Sequence, residues 1–246
     1  MTPPKLVEHV LKARVIHDPE YKAFREKTTK LPVLGLRLPA IQHVEHTGFP
    51  FYDQEALEVL KTWDSIWSEA NLHEAMYLPL FFYRRKLDLL DARHWRVMKR
   101  WIERVENWEH ADALCALYSI FLERFSKLVE PTLRQWNRSK NPWKRRASVV
   151  STIYYASKKR TPPSRQMVLS LIEPLLEDHD PYVQKGVGWQ LREAYKLWPR
   201  ETLKFLESHI LDLPAITFSY ATEKLSLTDK QRLKVIRARW RQSRQS

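Results

Sequence analysis

Apolar residues recur along this chain at helical spacing. Leu114, Leu117, Tyr118, Phe121, Leu122 and Phe125 fall at i, i+3, i+4, i+7, i+8 and i+11, and Val168, Leu171, Ile172, Leu175 and Leu176 repeat the pattern. Both are the apolar stripes of amphipathic helices. No run of alternating apolar and polar residues bounded by turn signals is present to suggest a strand. Helix starts are marked by Asn141-Pro142, Asp180-Pro181, Asp53 ahead of Gln54-Glu55-Ala56-Leu57, and Ser164 after Thr161-Pro162-Pro163. In each, a short polar side chain accepts an unpaired N–H of the first turn; where Pro follows, its missing N–H costs nothing there. Pro32, Pro39, Pro50, Pro131, Pro174, Pro199 and Pro214 punctuate the rest. The pattern predicts an all-α protein of roughly ten or more helices with short connections.

One segment repeats. Asn141-Pro142-Trp143-Lys144-Arg145-Arg146-Ala147 overlays Asp180-Pro181-Tyr182-Val183-Gln184-Lys185-Gly186 at an offset of 39 residues, and Asn107-Trp108 with Ala111 is a looser copy 34 residues earlier. A period of about 40 suits HEAT-like helix pairs, which stack into a curved solenoid with a concave face. The expected organisation is one helical-repeat domain over 1–229, followed by a basic helix or tail over 230–246. Glycine is scarce, with four in 246 residues, and two of them fall in Lys185-Gly186-Val187-Gly188-Trp189. A helical Gly costs about 0.5–1 kcal/mol relative to Ala, so this pair points to close packing there.

Composition removes several function classes. Four glycines leave no G-x-G-x-x-G and no G-x-x-x-x-G-K, hence no dinucleotide fingerprint and no P-loop. The single cysteine, Cys115, leaves no internal disulfide and no Cys-rich zinc site. His110 near Cys115 is too small a ligand set for zinc, so no metal or cofactor is expected. The apolar runs are too short for a membrane span; the longest, Tyr77 to Tyr83, is interrupted by Pro79. Met-Thr-Pro-Pro-Lys at the N-terminus lacks a secretion-signal core, so the expected location is cytoplasmic; the chain is expected to be a monomer.

Charge adds a partner. The net charge is +13 and is concentrated. From Pro131 to Ile172 there are ten basic residues and no acid, and from Lys230 to Ser246 seven more and no acid. The remainder is mildly acidic. Concentrated charge fits a polyanion, above all nucleic acid, better than it fits solubility. Trp136, Trp143, Tyr154 and Tyr155 interleave the first block.

Three segments resemble the AlkD branch of the DNA alkylation-repair family. They are Asn107-Trp108-Glu109-His110-Ala111-Asp112, Asn141 through Ser148, and Val183-Gln184-Lys185-Gly186-Val187-Gly188-Trp189-Gln190-Leu191-Arg192-Glu193. A fainter match is Leu34-Gly35-Leu36-Arg37-Leu38-Pro39. The resemblance implies a HEAT-like fold and a monofunctional glycosylase that hydrolyses the N-glycosidic bond of cationic alkylpurines in duplex DNA, such as 3-methyladenine and 7-methylguanine. It implies that the base stays stacked rather than flipped, which would admit bulky adducts. It assigns Asp112, Trp108 and Trp189 to the deoxyribose of the lesion and Arg146 to a backbone phosphate; the basic residues Arg145, Lys144, Lys185, Lys158 and Lys159 are expected as further DNA contacts.

The implied chemistry is sound. A purine alkylated on a ring nitrogen leaves as a neutral base, so no general acid is needed. The sugar becomes oxocarbenium-like. A carboxylate such as Asp112 stabilises that charge and orients or deprotonates the attacking water. The faces of Trp108 and Trp189 stabilise a cation by about 0.5–2 kcal/mol each. By spacing alone, Trp108 and Trp189 also read as core and Asp112 as a solvated carboxylate, as do Trp63, Trp67, Trp95, Trp101, Trp136, Trp143 and Trp198 as packing residues. Two rivals remain at this level: a non-catalytic helical-repeat protein binding branched or distorted DNA, and a scaffold for an acidic protein.

Overall fold

The computed structural model describes residues 1–14, 18–154 and 160–243, without the side chains of 240, 241 and 243. Fourteen α-helices appear among the described residues and no strand. They are α1 (Pro3–Lys12), α2 (Pro19–Glu26), α3 (Leu38–Thr47), α4 (Ala56–Glu69), α5 (Tyr77–Arg85), α6 (Ala92–Met98), α7 (Trp108–Arg124), α8 (Ser126–Asn137), α9 (Pro142–Val150), α10 (Arg165–Ile172), α11 (Pro181–Leu197), α12 (Pro199–Ser208), α13 (Ala215–Ala221) and α14 (Leu227–Ser243). The chain divides into two compact units, Met1–Phe121 and Leu122–Ser246. The boundary expected at 229/230 falls inside α14.

The helix starts are largely where the sequence puts them. Asn107, Asn141 and Asp180 each accept a first-turn N–H, from His110 at 2.9 Å, Trp143 at 2.9 Å and Tyr182 at 2.8 Å, opening α7, α9 and α11. The three copies of the repeat are thus three instances of one cap. Ser164 caps α10 through the Met167 N–H at 3.2 Å. Asp53 is a correction. It closes a 3-10 turn over Pro50–Asp53, and α4 starts at Ala56 behind Glu55, which makes no side-chain cap.

The first unit is built on aromatic residues. Trp63, Trp67, Trp95, Trp101, Tyr83 and Tyr118 are fully buried. Trp67 and Trp101 stack at 4.9 Å, and the Trp67 indole N–H donates to the Trp101 carbonyl at 3.0 Å. The Trp101 indole in turn donates to Asp64 Oδ1 at 2.7 Å. Burying an indole with its N–H satisfied gains the large apolar area without the desolvation penalty.

The second unit is aliphatic. Its helices α9, α11 and α13 pack in succession, and α12 packs against both α11 and α14. Val149, Val150, Val183, Val187, Leu191, Leu206 and Leu233 fill the space between. Bonds between neighbouring elements fall in one narrow range of sequence separation in both units: 37 for His110 to His73, 34 for Asn137 to Leu171, 36 for Arg146 to Tyr182 and 38 for Gln190 to Thr152. Each repeat therefore bonds the one before it in nearly the same register, as stacked helix pairs require.

Candidate active site

In the first unit, α7 presents Trp108 and Asp112 on one face, because residues four apart are neighbours on a helix. Trp108 is 39% exposed and Asp112 half-buried. Glu109, His110, Ala111 and Leu114 point the other way and are buried. Exposed to this degree at the head of the helix, Trp108 does not fill the core.

The buried side of the same turn is charged. Glu109 pairs with Arg25 of α2, both nearly out of solvent. The Tyr77 hydroxyl donates to Glu109 Oε2 at 3.4 Å, and His73 Nε2 lies 3.5 Å from the same oxygen. Burial, reinforced by the Arg25 cation, lowers the His73 pKa from its ordinary 6.5 to about 4, so this ring is neutral. His110 is pushed well below 6.5, by burial first and by its neighbour His73 next. Its Nε2 lies 3.0 Å from the His73 carbonyl and its Nδ1 2.9 Å from the Asn107 amide. Burial raises the Tyr77 phenol; Arg25 opposes this, while Tyr21, Glu74 and Asp112 add to it.

Glu106 holds the segment ahead of α7 from the other side. It accepts from the Thr29 hydroxyl and from the Lys30 N–H at 2.7 Å. Further along, the N–H groups of Leu34, Gly35 and Leu36 all point at the buried Glu74 carboxylate, at 3.0, 2.8 and 3.2 Å. Gly35 makes that cradle possible with φ at +92°. The Gly-x-x-x-Pro segment is thus a loop wrapped on an anion of the protein's own, with Pro39 in the first turn of α3.

None of Arg25, His73, Tyr77 or Glu74 was marked by the sequence. Each reaches its partner across 32 or more residues, which no local spacing encodes. The one available signal was the pair Glu109-His110 between Trp108 and Asp112.

In the second unit, the expected basic residues divide. Arg146 is only 4% exposed, and its guanidinium donates to the Tyr182 carbonyl. Arg145 forms a two-pronged pair with Asp178, at 2.6 and 3.1 Å, and donates to the Ser139 and Lys140 carbonyls at 2.9 and 3.0 Å. Both arginines are thus engaged by protein groups within the second unit. Lys144 is half-exposed, and so is Lys185, whose Nζ lies 5.4 Å from the centre of the Tyr182 ring. Trp143 packs on that ring at 5.0 Å. Trp189 is half-buried on α11. Lys158 and Lys159 lie outside the described residues.

Residues 12–225 match the family model described as DNA alkylation repair enzyme. The chain belongs to the DNA alkylation repair enzyme family. Solved structures with the same fold include a protein of Enterococcus faecalis described as a predicted DNA alkylation repair enzyme, at 14% identity and TM-score 0.69, covering 85% of this chain and 94% of that one. AlkD2 of Streptococcus mutans aligns at 18% identity and TM-score 0.56, over 85% and 99%. AlkC of Pseudomonas fluorescens, an alkylpurine DNA glycosylase bound to DNA containing an abasic site analog, aligns at 14% identity and TM-score 0.58, over 94% of this chain and 65% of that one. No curated protein matches the sequence. These likenesses establish the all-helical repeat fold. Among the described residues no helix is long and apolar enough to cross a membrane.

Proposed function

We propose that this family member is a monofunctional DNA glycosylase that removes cationic N-alkylated purines from duplex DNA. The observation that supports this best is the head of α7, where Trp108 and Asp112 face outward together on a helix anchored from behind by the Arg25–Glu109 pair. Asp112 stabilises the oxocarbenium-like sugar as the neutral base departs and orients the attacking water. Trp108 offers a π face to the same developing charge, and Trp189 is assigned that chemistry as well. No group is needed to protonate the leaving base, so the neutral state of His73 and His110 is no handicap. The base is left stacked, with rate set by the lability of the bond, so 3-methyladenine and 7-methylguanine are substrates and neutral lesions are poor ones.

The half-exposed Lys144 and Lys185 are assigned to backbone phosphates. Arg146 and Arg145 are assigned to the backbone with them, and they also fix the start of α11 and the turn ahead of α9, next to the first turns that carry those lysines. The protein acts as a cytoplasmic monomer.

Single-turnover release of 7-methylguanine from duplex DNA tests the reading, with wild type and Asp112→Asn side by side. Release by wild type and a fall of about 10²–10⁴-fold in the variant are expected, the range for a positioned base or carboxylate. DNA affinity should hold or rise, since one negative charge is removed. Equal rates in both proteins would remove Asp112 from the mechanism. Absence of release by either, with salt-sensitive DNA binding intact, would make the protein a binding member of the family without the chemistry.

A further inference from the structure

Helix α14 lies beyond the residues that match the family model, which end at 225. It is no loose tail. Ser226 caps its start, accepting from the Asp229 N–H at 3.0 Å, while its hydroxyl donates to Asp229 Oδ2 at 2.8 Å. Leu233 is completely buried. Arg237 is buried too. It donates to the Leu213 carbonyl at 2.6 Å and sits 4.5 Å over the Phe218 ring. Asp229 also accepts from the Tyr195 hydroxyl at 3.1 Å, and Arg232 pairs with Glu207 of α12 at 2.9 Å.

These interactions sort the charges on the helix. Asp229, its one acidic residue, is engaged on the inward side. Arg237 is an anchor. Lys234 and Arg239 are left on the exposed face, with Val235 38% exposed between them. Near a helix C-terminus a cation is favoured by the backbone dipole, which accounts for Arg239 but not for Lys234 in mid-helix. A docked helix whose outer face carries cations and no acid of its own matches a regular array of negative charge, and a nucleic-acid backbone is such an array.

We propose that the outer face of α14 is a second contact for the phosphate backbone of duplex DNA, supplying affinity but no lesion chemistry. The proposal rests on the reading of DNA as substrate. Its test is binding of the full chain to a short unmodified duplex, followed by fluorescence anisotropy across a salt titration. The Lys234→Glu/Arg239→Glu variant is compared with wild type and with Lys5→Glu/Lys61→Glu. That control carries the same charge change on exposed residues of the first unit.

The α14 variant should bind at least about tenfold more weakly at low salt. Its slope of log K against log salt should flatten by about 2, near one for each phosphate no longer neutralised. The control should keep the wild-type slope. A wild type that binds with an α14 variant no weaker than the control overturns the proposal for α14 alone. A wild type that shows no salt-dependent binding overturns both this proposal and the DNA reading. Competition by a polyglutamate peptide as strong as competition by duplex would also overturn it, giving the face to an acidic protein instead.

Discussion

Gly186 makes room for Arg146. A Cβ at position 186 would lie 3.1 Å from Arg146 Nη1 and 3.2 Å from both Arg146 Cγ and Val150 Cγ2. Two turns of adjacent repeats therefore meet across a glycine, and the guanidinium lies in the space where a side chain would be. Gly188 serves the other neighbour. Its Cβ would be 2.6 Å from Tyr220 Cβ and 2.7 Å from the Thr217 carbonyl oxygen. The clustering of two glycines in α11 follows from a helix packed between α9 and α13.

The two glycines should respond differently to alanine. Alanine gains about 0.5–1 kcal/mol of helix propensity at either site. At 186 the crowding is moderate, and Gly186→Ala should cost about 1 kcal/mol net, within the range of overpacked cores. At 188 the obstacles are a Cβ and backbone, which cannot turn aside, so Gly188→Ala should cost about 2–3 kcal/mol. Urea unfolding of the two variants gives the order; a Gly188→Ala protein as stable as Gly186→Ala would contradict this packing.

The Arg25–Glu109 pair should carry stability out of proportion to its size. Removing one partner strands the other charge in a nearly dry site, which costs about 3–5 kcal/mol. Arg25→Ala and Glu109→Gln should each lower the unfolding free energy by an amount of this order. The double variant should cost less than the two added together. Strict additivity in that cycle would mean the pair is not coupled.

Acid should destabilise the first unit through His73. The unfolded ring has its ordinary pKa of 6.5 and the folded ring about 4. Between those values the unfolded chain binds a proton that the folded chain refuses, so stability falls as pH drops through 6.5 and levels off near 4. The loss attributable to this ring is about 3 kcal/mol at most, at 1.36 kcal/mol per pH unit. In His73→Gln the pH dependence of stability in this window should flatten by about one proton. A curve parallel to wild type would show that His73 titrates normally.

Arg145 and Lys144 are neighbours in sequence with opposite expected phenotypes. Arg145→Ala removes the bond to Asp178 and two bonds to carbonyls, and should cost about 1.5–3 kcal/mol, as for hydrogen bonds to charged groups. Arg145→Lys should restore little, since an ammonium cannot reproduce the fork. Lys144→Ala should change stability less and flatten the salt dependence of DNA binding by about 1. Measuring both properties on both variants settles which residue faces DNA; the reverse pattern would exchange their roles.

The fold was largely legible from local order. The stripes at Leu114 to Leu122 and Val168 to Leu176 are buried, and the caps at Asn141 and Asp180 start helices, because amphipathic spacing and capping act within a few residues. Asp53 misled because Pro50 opens a 3-10 turn that uses it up, and a cap is decided by where the preceding turn closes. In the candidate site, the i, i+4 relation of Trp108 and Asp112 could be read directly. The backing of Arg25, His73 and Tyr77 could not.

The division between chain order and folding is clearest for charge. The order of residues dictates a helical repeat, its period, and two blocks of Lys and Arg without an intervening acid. It takes the folded chain to settle which of those cations are engaged. Arg134 pairs with Glu130, Arg145 with Asp178, Arg160 with Glu123 and Arg165 with Glu201, and Arg146 and Arg237 are buried on carbonyls. Three of those four acids lie 33 to 37 residues away, about one repeat, and Glu130 lies one helical turn before Arg134. A run of like charge along the chain says nothing about what the next repeat brings to meet it, because stacking pairs residues by period rather than by adjacency.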